Sequence, residues 1–488
     1  MRHYGKDSGS NGPSRGRSCM KLDEKLKKYS RDGYLPMHMP GHKRNIELLG
    51  HELPYDKDIT EIYDFDDLHH PEGVLKEVQD QAKRIYQSGH SFLLVNGSTC
   101  GILAGIRSAV SFGDQVLVAR GCHKSVYHAI ELNHLDPVYL QPHIDSYGID
   151  RGVLLEDIVD ALNENPDIRL VILTSPTYEG VISPISDIVK VAHEKGIPVL
   201  VDEAHGAHLS FMKELCSYEA LKSGADIVIQ SLHKTLPALT QTALLHIQGN
   251  LVKQEEVARE LSIFETSSPS YILMDSISCC LDLIEEKGKN LFSQYEENLA
   301  WFYEKTKSFR HLKVFGRKID SSVIYDYGKI VILTKDTNLS GRELSQILRE
   351  NYQIEVEMSS IYYVIAMSSI CDTKESFERL LYALQEIDST LYDCSNKSMD
   401  YFSSLPRKKM NIADAVDNES GDYSNIKDVK DFVSQEYLWV YPPGVPFVVP
   451  GEVIDQKIIY QLQEYQKVGI EIRSTYDKFP DVKVINNK

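Results

Sequence analysis

Long apolar runs are missing from this chain of 488 residues. No stretch approaches the roughly 20 residues that a bilayer-spanning helix needs, so a helical membrane span is excluded. The first residues, Met1 to Gly5 onward, lack the apolar core of a signal peptide. They are rich in Gly, Ser and Arg through Ser18, which predicts a disordered tail over residues 1–19. Cysteine is sparse: the 8 present show no Cys-x-x-Cys spacing, which argues against a disulfide scaffold or a zinc site and for reduced thiols in a cytoplasm. Positive charge is short too, 53 Lys and Arg against 71 Asp and Glu, for a net −18. That balance argues against nucleic acid or an anionic membrane as partner and is compatible with a small cationic substrate.

What remains is a soluble, globular composition, 42% hydrophobic and 25% charged, on a chain long enough for two or three domains. Short apolar segments at 92–96, 115–120, 137–141, 169–174, 197–202 and 225–231 read as strands. Amphipathic segments at 101–111, 126–133, 154–163 and 185–195 read as helices between them. This alternation predicts an α/β domain with a mostly parallel sheet. Further helices are expected at 21–34, 255–264 and 275–306, followed by a smaller α+β domain from about residue 307. The expected division is a tail over 1–19, an arm over 20–45, a major domain over 46–306, a small domain over 307–395 and a C-terminal domain over 396–488.

Ligands of parallel sheets bind at the carboxyl ends of the strands. Residues apt for one cofactor fall there. Lys234, in Ser231-Leu232-His233-Lys234, comes 32 residues after Asp202 in Asp202-Glu203-Ala204-His205. An amine, an anchor for a phosphate and an acid facing a ring nitrogen are the parts that pyridoxal phosphate needs. Asn96-Gly97-Ser98-Thr99 lies between a strand and a helix, where a helix start and two hydroxyls can cup a phosphate, or simply form a capping turn. That stretch matches neither the dinucleotide nor the nucleoside-triphosphate glycine pattern. His123 opens a helix and could cap it or stack on a cofactor ring. His205 follows Asp202 at a distance suited to the same ring.

These residues sit among others with a shared pattern: Pro40-Gly41-His42-Lys43, Asp66-Asp67-Leu68, Pro176-Thr177-Tyr178-Glu179-Gly180, Thr266-Ser267-Ser268-Pro269-Ser270-Tyr271, and Tyr441-Pro442-Pro443-Gly444-Val445-Pro446 with Pro450-Gly451-Glu452. In this the chain resembles the bacterial ornithine/lysine/arginine decarboxylases of the aspartate-aminotransferase fold, pyridoxal-phosphate fold type I, over about residues 34–470. The resemblance implies a mostly parallel seven-stranded sheet domain, a smaller α+β domain, a C-terminal segment and a homodimer with active sites shared at the interface. It implies that Lys234 binds the cofactor covalently, Asp202 its ring nitrogen, His123 its ring face and His205 its phenolic oxygen. Ser98, Thr99, Ser231 and His233 would hold the phosphate. The implied reaction is decarboxylation of a basic amino acid in polyamine biosynthesis. Because no receiver-like domain precedes residue 39, the resemblance is to the shorter biosynthetic type, with arginine expected first, then lysine and ornithine. His42, Asp66, Asp67, Glu357 and Glu452 are candidates to meet the substrate, the acids through its distal cation. An aminotransferase or aldolase of the same fold, or a catalytically silent paralogue, are the competing readings.

Overall fold

The computed structural model describes residues 32–33, 35–37, 41, 43, 45–49, 65–316, 323–394, 405–440, 445–467 and 469–486. The tail expected over 1–19 and all but two residues of the helix expected over 21–34 lie outside them.

The centre is a seven-stranded sheet: β1 (His90–Leu94), β2 (Gln115–Ala119), β3 (Asp136–Leu140), β4 (Ile168–Thr174), β5 (Val199–Asp202), β6 (Ile227–Gln230) and β7 (Ala243–Ile247). In space the order is β1-β7-β6-β5-β4-β2-β3. Only β7 runs against the rest, pairing antiparallel with both β1 and β6. The other neighbours pair parallel. Helices α1 (Val74–Tyr86), α2 (Gly97–Ala109), α3 (Lys124–Leu132), α4 (Leu155–Glu164) and α5 (Ile185–Glu194) supply the crossovers and cover. Strands covered on both faces must be apolar throughout rather than alternating. Val199, Leu200 and Val201 of β5 and Ile227, Val228 and Ile229 of β6 are all 0% exposed. Each such side chain contributes about 1.5–3 kcal/mol on burial.

The six strands expected from the sequence are present within a residue or two, and β7 joins them. Its run Ala243-Leu244-Leu245-His246-Ile247 is fully buried, without the period-2 signal of a half-buried strand.

A helix of 36 residues, Tyr271–Thr306, leads to the small sheet. There Lys313–Val314, Lys329–Leu333, Tyr363–Met367 and Met358–Ser359 pair in that spatial order, all antiparallel. Helices Gly341–Tyr352 and Lys374–Asp388 belong to the same part of the chain. Residues 354–359 hold two strands: Ile354–Val356 pairs parallel with Leu35–Met37, and Met358–Ser359 turns to the small sheet. The break falls at Glu357. The last part of the chain holds two three-stranded sheets and helix Gln456–Lys467 around their own core, including Leu438, Val448, Ile459 and Val482.

Candidate active site

The register of the sheet aligns the chemistry. Thr174 at the end of β4 pairs with Asp202 at the end of β5, which pairs with Ile229 in β6. Beyond β6 comes Ser231, and then a short helix, Leu232–Thr235, carrying His233 and Lys234. Past β2 the chain reaches His123, and past β1 it reaches Gly97, Ser98 and Thr99. The eight residues expected to bind the cofactor therefore gather along one sheet edge.

Lys234 Nζ lies 3.1 Å from Nε2 of His205. Burial pulls the Lys234 amine below the ordinary lysine range, while Asp202 and Glu357 act in the other direction. Asp202 is 3% exposed, and its Oδ1 accepts from the Ala204 N–H at 3.1 Å. Burial lifts its carboxyl above the usual range, and Lys234 opposes the lift. His205 is neutral: burial first, then the neighbouring Lys234 and Lys329, drive its pKa well down. His123 caps α3 through Nδ1, which accepts from the Ser125 N–H, and burial lowers it to about 3. His233 Nδ1 meets the Thr242 carbonyl at 2.9 Å, and burial lowers it to about 4.

Whether this edge suits pyridoxal phosphate can be judged from its unpaired groups. Ser231 Oγ, Thr174 Oγ1 and Thr235 Oγ1 are buried without a hydrogen-bond partner, although buried hydroxyls ordinarily find one. Helix α2 begins at Gly97, whose φ of 72° suits glycine, and no side chain caps it. Hydroxyls in want of an acceptor, an open helix start carrying Ser98 and Thr99, an enclosed amine and a buried carboxylate fit a phosphorylated pyridine aldehyde.

The proposed substrate contacts divide. Glu357 belongs to the site: its Oε1 accepts from Tyr178 OH at 2.6 Å, and the Tyr178 ring meets the His205 ring edge-on at 4.9 Å between centroids. Asp66 is directed elsewhere, accepting from the N–H groups of Glu72, Gly73, Leu75 and Lys76 at the start of α1. Asp67 accepts from the His69 N–H and the His70 ring. Glu452 is 0% exposed, and its two oxygens meet Arg120 at 2.8 and 2.9 Å, with Val449 N–H as a further donor. In this chain these three acids cap and clamp their own surroundings. His42 lies outside the described residues.

Two residues were not singled out from the sequence. Lys329 Nζ lies 2.5 Å from Nδ1 of His205, so that two lysines flank one imidazole. Tyr178 bridges His205 and Glu357. The signal for Lys329 was a cation opening the otherwise apolar strand Lys329-Ile330-Val331-Ile332-Leu333. A cavity of about 530 Å³ adjoins, lined by Thr174, Tyr178, Glu179 and Asp150 from the major sheet's side and by residues of the other two parts, such as Ser359 and Phe447.

A doubly covered α/β sheet with a lysine and a buried carboxylate on its carboxyl edge has the architecture of pyridoxal-phosphate fold type I. The chain belongs to the Orn/Lys/Arg decarboxylase family, matching its major domain over residues 21–324 and its C-terminal domain over residues 395–480. It is 31% identical to an arginine decarboxylase of Bacillus anthracis, over 93% of this chain and 94% of that one. It is 34% identical to an uncharacterised Bacillus subtilis protein, YaaO, over 90% and 93%. The lysine decarboxylase LdcF of Francisella novicida has a similar solved fold, with a TM-score of 0.76, 21% identity, and coverage of 86% of this chain and 73% of that one.

Proposed function

We propose that this chain decarboxylates arginine to agmatine with pyridoxal phosphate, in a cytoplasmic route of polyamine biosynthesis. The observation that carries the proposal is the enclosed Lys234 amine between Asp202 and His205, beside hydroxyls that lack an acceptor. The relatives named arginine decarboxylase support arginine over lysine and ornithine.

Ser98, Thr99, Ser231 and His233 would hold the phosphate, Asp202 the ring nitrogen, His123 the ring face and His205 the phenolic oxygen. When bound, the cofactor supplies an aldehyde that condenses with amines and a cationic ring that draws the electron pair of the breaking Cα–carboxylate bond. Asp202 holds a proton at the ring nitrogen, which keeps that ring cationic. Lys234 Nζ collects the proton released as the substrate amine is bound and returns it at the substrate's Cα. Asp202 and His205, both buried beside Lys234, keep water from that side of the site, which strengthens these charges. Glu357, which accepts from Tyr178 OH, would meet the substrate's distal cation.

The same reading includes a homodimer. His69 Nε2 meets the Thr266 carbonyl at 2.9 Å and Asn96 Nδ2 donates to the Phe264 carbonyl at 3.4 Å. These contacts gather Asp66–Gly73, Asn96–Thr99 and Thr266–Ser268 on one rim, where Thr99, Thr266, Ser267 and Ser268 are exposed. A second copy over this rim would close the phosphate cup.

The test is product formation on arginine, lysine and ornithine with the cofactor supplied. Carbon dioxide and agmatine from arginine, lost by about 10²–10⁴-fold in Lys234→Ala, are expected. Keto-acid without carbon dioxide would replace this reading by aminotransfer, and faster turnover of lysine would move the substrate.

A further inference from the structure

The cavity of about 530 Å³ lies where the three parts of the chain meet. Asp150 and Glu179 line it from the segments that follow β3 and β4, Ser359 and Tyr363 from the small sheet, and Phe447 from the C-terminal part. Lys234, Asp202, His205 and Glu357 stay outside its lining. Tyr178 is the wall between the two places: it lines the cavity, while its hydroxyl donates to Glu357 and its ring meets His205. The volume is that of a pocket for a small molecule.

The charges in its lining do not balance. Arg120 is occupied by both oxygens of Glu452, and Arg342, which is exposed, donates to the Gly469 carbonyl at 2.6 Å. Glu471 meets Arg473 at 2.8 Å. Asp150 and Glu179 are left, and among the described residues neither is paired with a lysine or an arginine. Asp150 Oδ1 accepts from the Gly152 N–H at 2.9 Å. Glu179 Oε1 accepts from Tyr363 OH at 2.8 Å, with the Thr177 hydroxyl as a further donor to that carboxylate. Glycine at 121 leaves room for the other oxygen of Asp150, because a Cβ there would stand 2.5 Å from it. His143, whose charge acts on Asp150, is itself paired with Asp157 at 2.5 Å. Burial, with Asp150 next, lifts Glu179 to about 7, and burial lifts Asp150 as well. Buried carboxylates ordinarily have a cationic partner, and the chain brings none to these two.

We propose that this cavity is a second binding site, separate from the catalytic one, for a small aliphatic cation that carries an amine or guanidine head and no carboxylate. The head sits between Asp150 and Glu179, where it supplies the missing positive charge. Leu140 and Val153, both buried, and Phe447 cover the apolar stem. A carboxylate on the ligand would meet two like charges, so an amino acid binds less well than the corresponding amine. The inference goes beyond the decarboxylase reading and does not need it, since neither carboxyl has a part in that reaction.

The test is equilibrium dialysis of labelled agmatine against the full-length chain at pH 8, without added cofactor. At that pH the Glu179 carboxyl is mostly charged. Agmatine is expected to bind saturably and about tenfold more tightly than arginine. Asp150→Asn and Glu179→Gln keep the side-chain size, and each should weaken agmatine by about tenfold, because each removes a charge-assisted contact. Glu357→Gln should leave agmatine binding as it was. Loss in Glu357→Gln with retention in the other two would put the amine in the catalytic site and overturn the proposal. Equal binding of arginine, or no saturable binding of agmatine, would overturn it too. If the carboxamide variants do not fold, Ser359→Phe decides: it fills the cavity from the small-sheet side, keeps both carboxyls and should abolish binding. Undiminished binding in that variant sinks the idea. No arm depends on carbon dioxide release, so a failed decarboxylase assay and a failed second site are told apart.

Discussion

Glu179 shows how much a single side chain can change with its surroundings. It is 7% exposed and accepts from Tyr363 OH at 2.8 Å, and burial, with nearby Asp150 adding to it, lifts its carboxyl to about 7. The unfolded carboxyl titrates near 4.5, so the folded state binds this proton more tightly. Stability from Glu179 is then fully present below that lower value and is lost as pH rises toward 7. Glu179→Gln keeps the acceptor for Tyr363 and removes the titration. Chemical denaturation should find the variant gaining on wild type by up to roughly 3 kcal/mol at pH 8, with the gap closing at pH 4. A difference that ignores pH would show that the carboxyl is not held in its neutral form.

At this scale the sequence was informative about Lys234, Asp202 and His205, because they fall at the ends of two apolar runs that a parallel sheet sets side by side. It was not informative about Lys329, which meets His205 across 124 residues of chain. Nor could it separate Glu357 from Asp66, Asp67 and Glu452. All four are carboxylates near turns, and only the folded partners show that three are committed to backbone N–H groups, a histidine or Arg120.

Among the elements, the tie between β2 and the C-terminal sheets is the most demanding. Arg120, just past β2, makes a two-pronged contact with Glu452 and adds the Phe447 carbonyl at 3.0 Å. Its guanidinium also lies 5.1 Å from the centre of the Tyr139 ring. Removing one member of a buried ion pair leaves the other unpaired, at a cost of about 3–5 kcal/mol. Glu452→Leu should lower stability by that amount, and adding Arg120→Met should restore part of it. A loss below about 1 kcal/mol in urea denaturation would show that the pair does not hold the two parts together. The strands of the major sheet could be read from composition, since doubly covered strands are apolar runs bounded by turns. The division of 354–358 could not, because both halves carry the same kind of residues and only their partners differ: Leu35–Met37 for one and Tyr363–Met367 for the other.

For the molecule as a whole, the homodimer proposal makes a measurable claim. Sedimentation velocity should give a species of twice the chain's 55.4 kDa. Specific activity should fall on dilution along the same curve as dissociation, since each site would borrow its cover from the other copy. A fully active monomer would remove the shared-site reading while leaving the role of Lys234 intact. Among the described residues no helix is long and apolar enough to cross a membrane.

The short pairing of Leu35–Met37 with Ile354–Val356 has a mechanical consequence. A few residues later Gly41 N–H donates to the His233 carbonyl at 2.5 Å, and a Cβ there would sit 2.4 Å from the Leu236 carbonyl. Leu35–Met37 thus hold to the strand Ile354–Val356, and Gly41 holds to the turn bearing Lys234. Gly41→Ala, which has no room there, should displace the turn that follows His233 even in a protein whose cores stay whole.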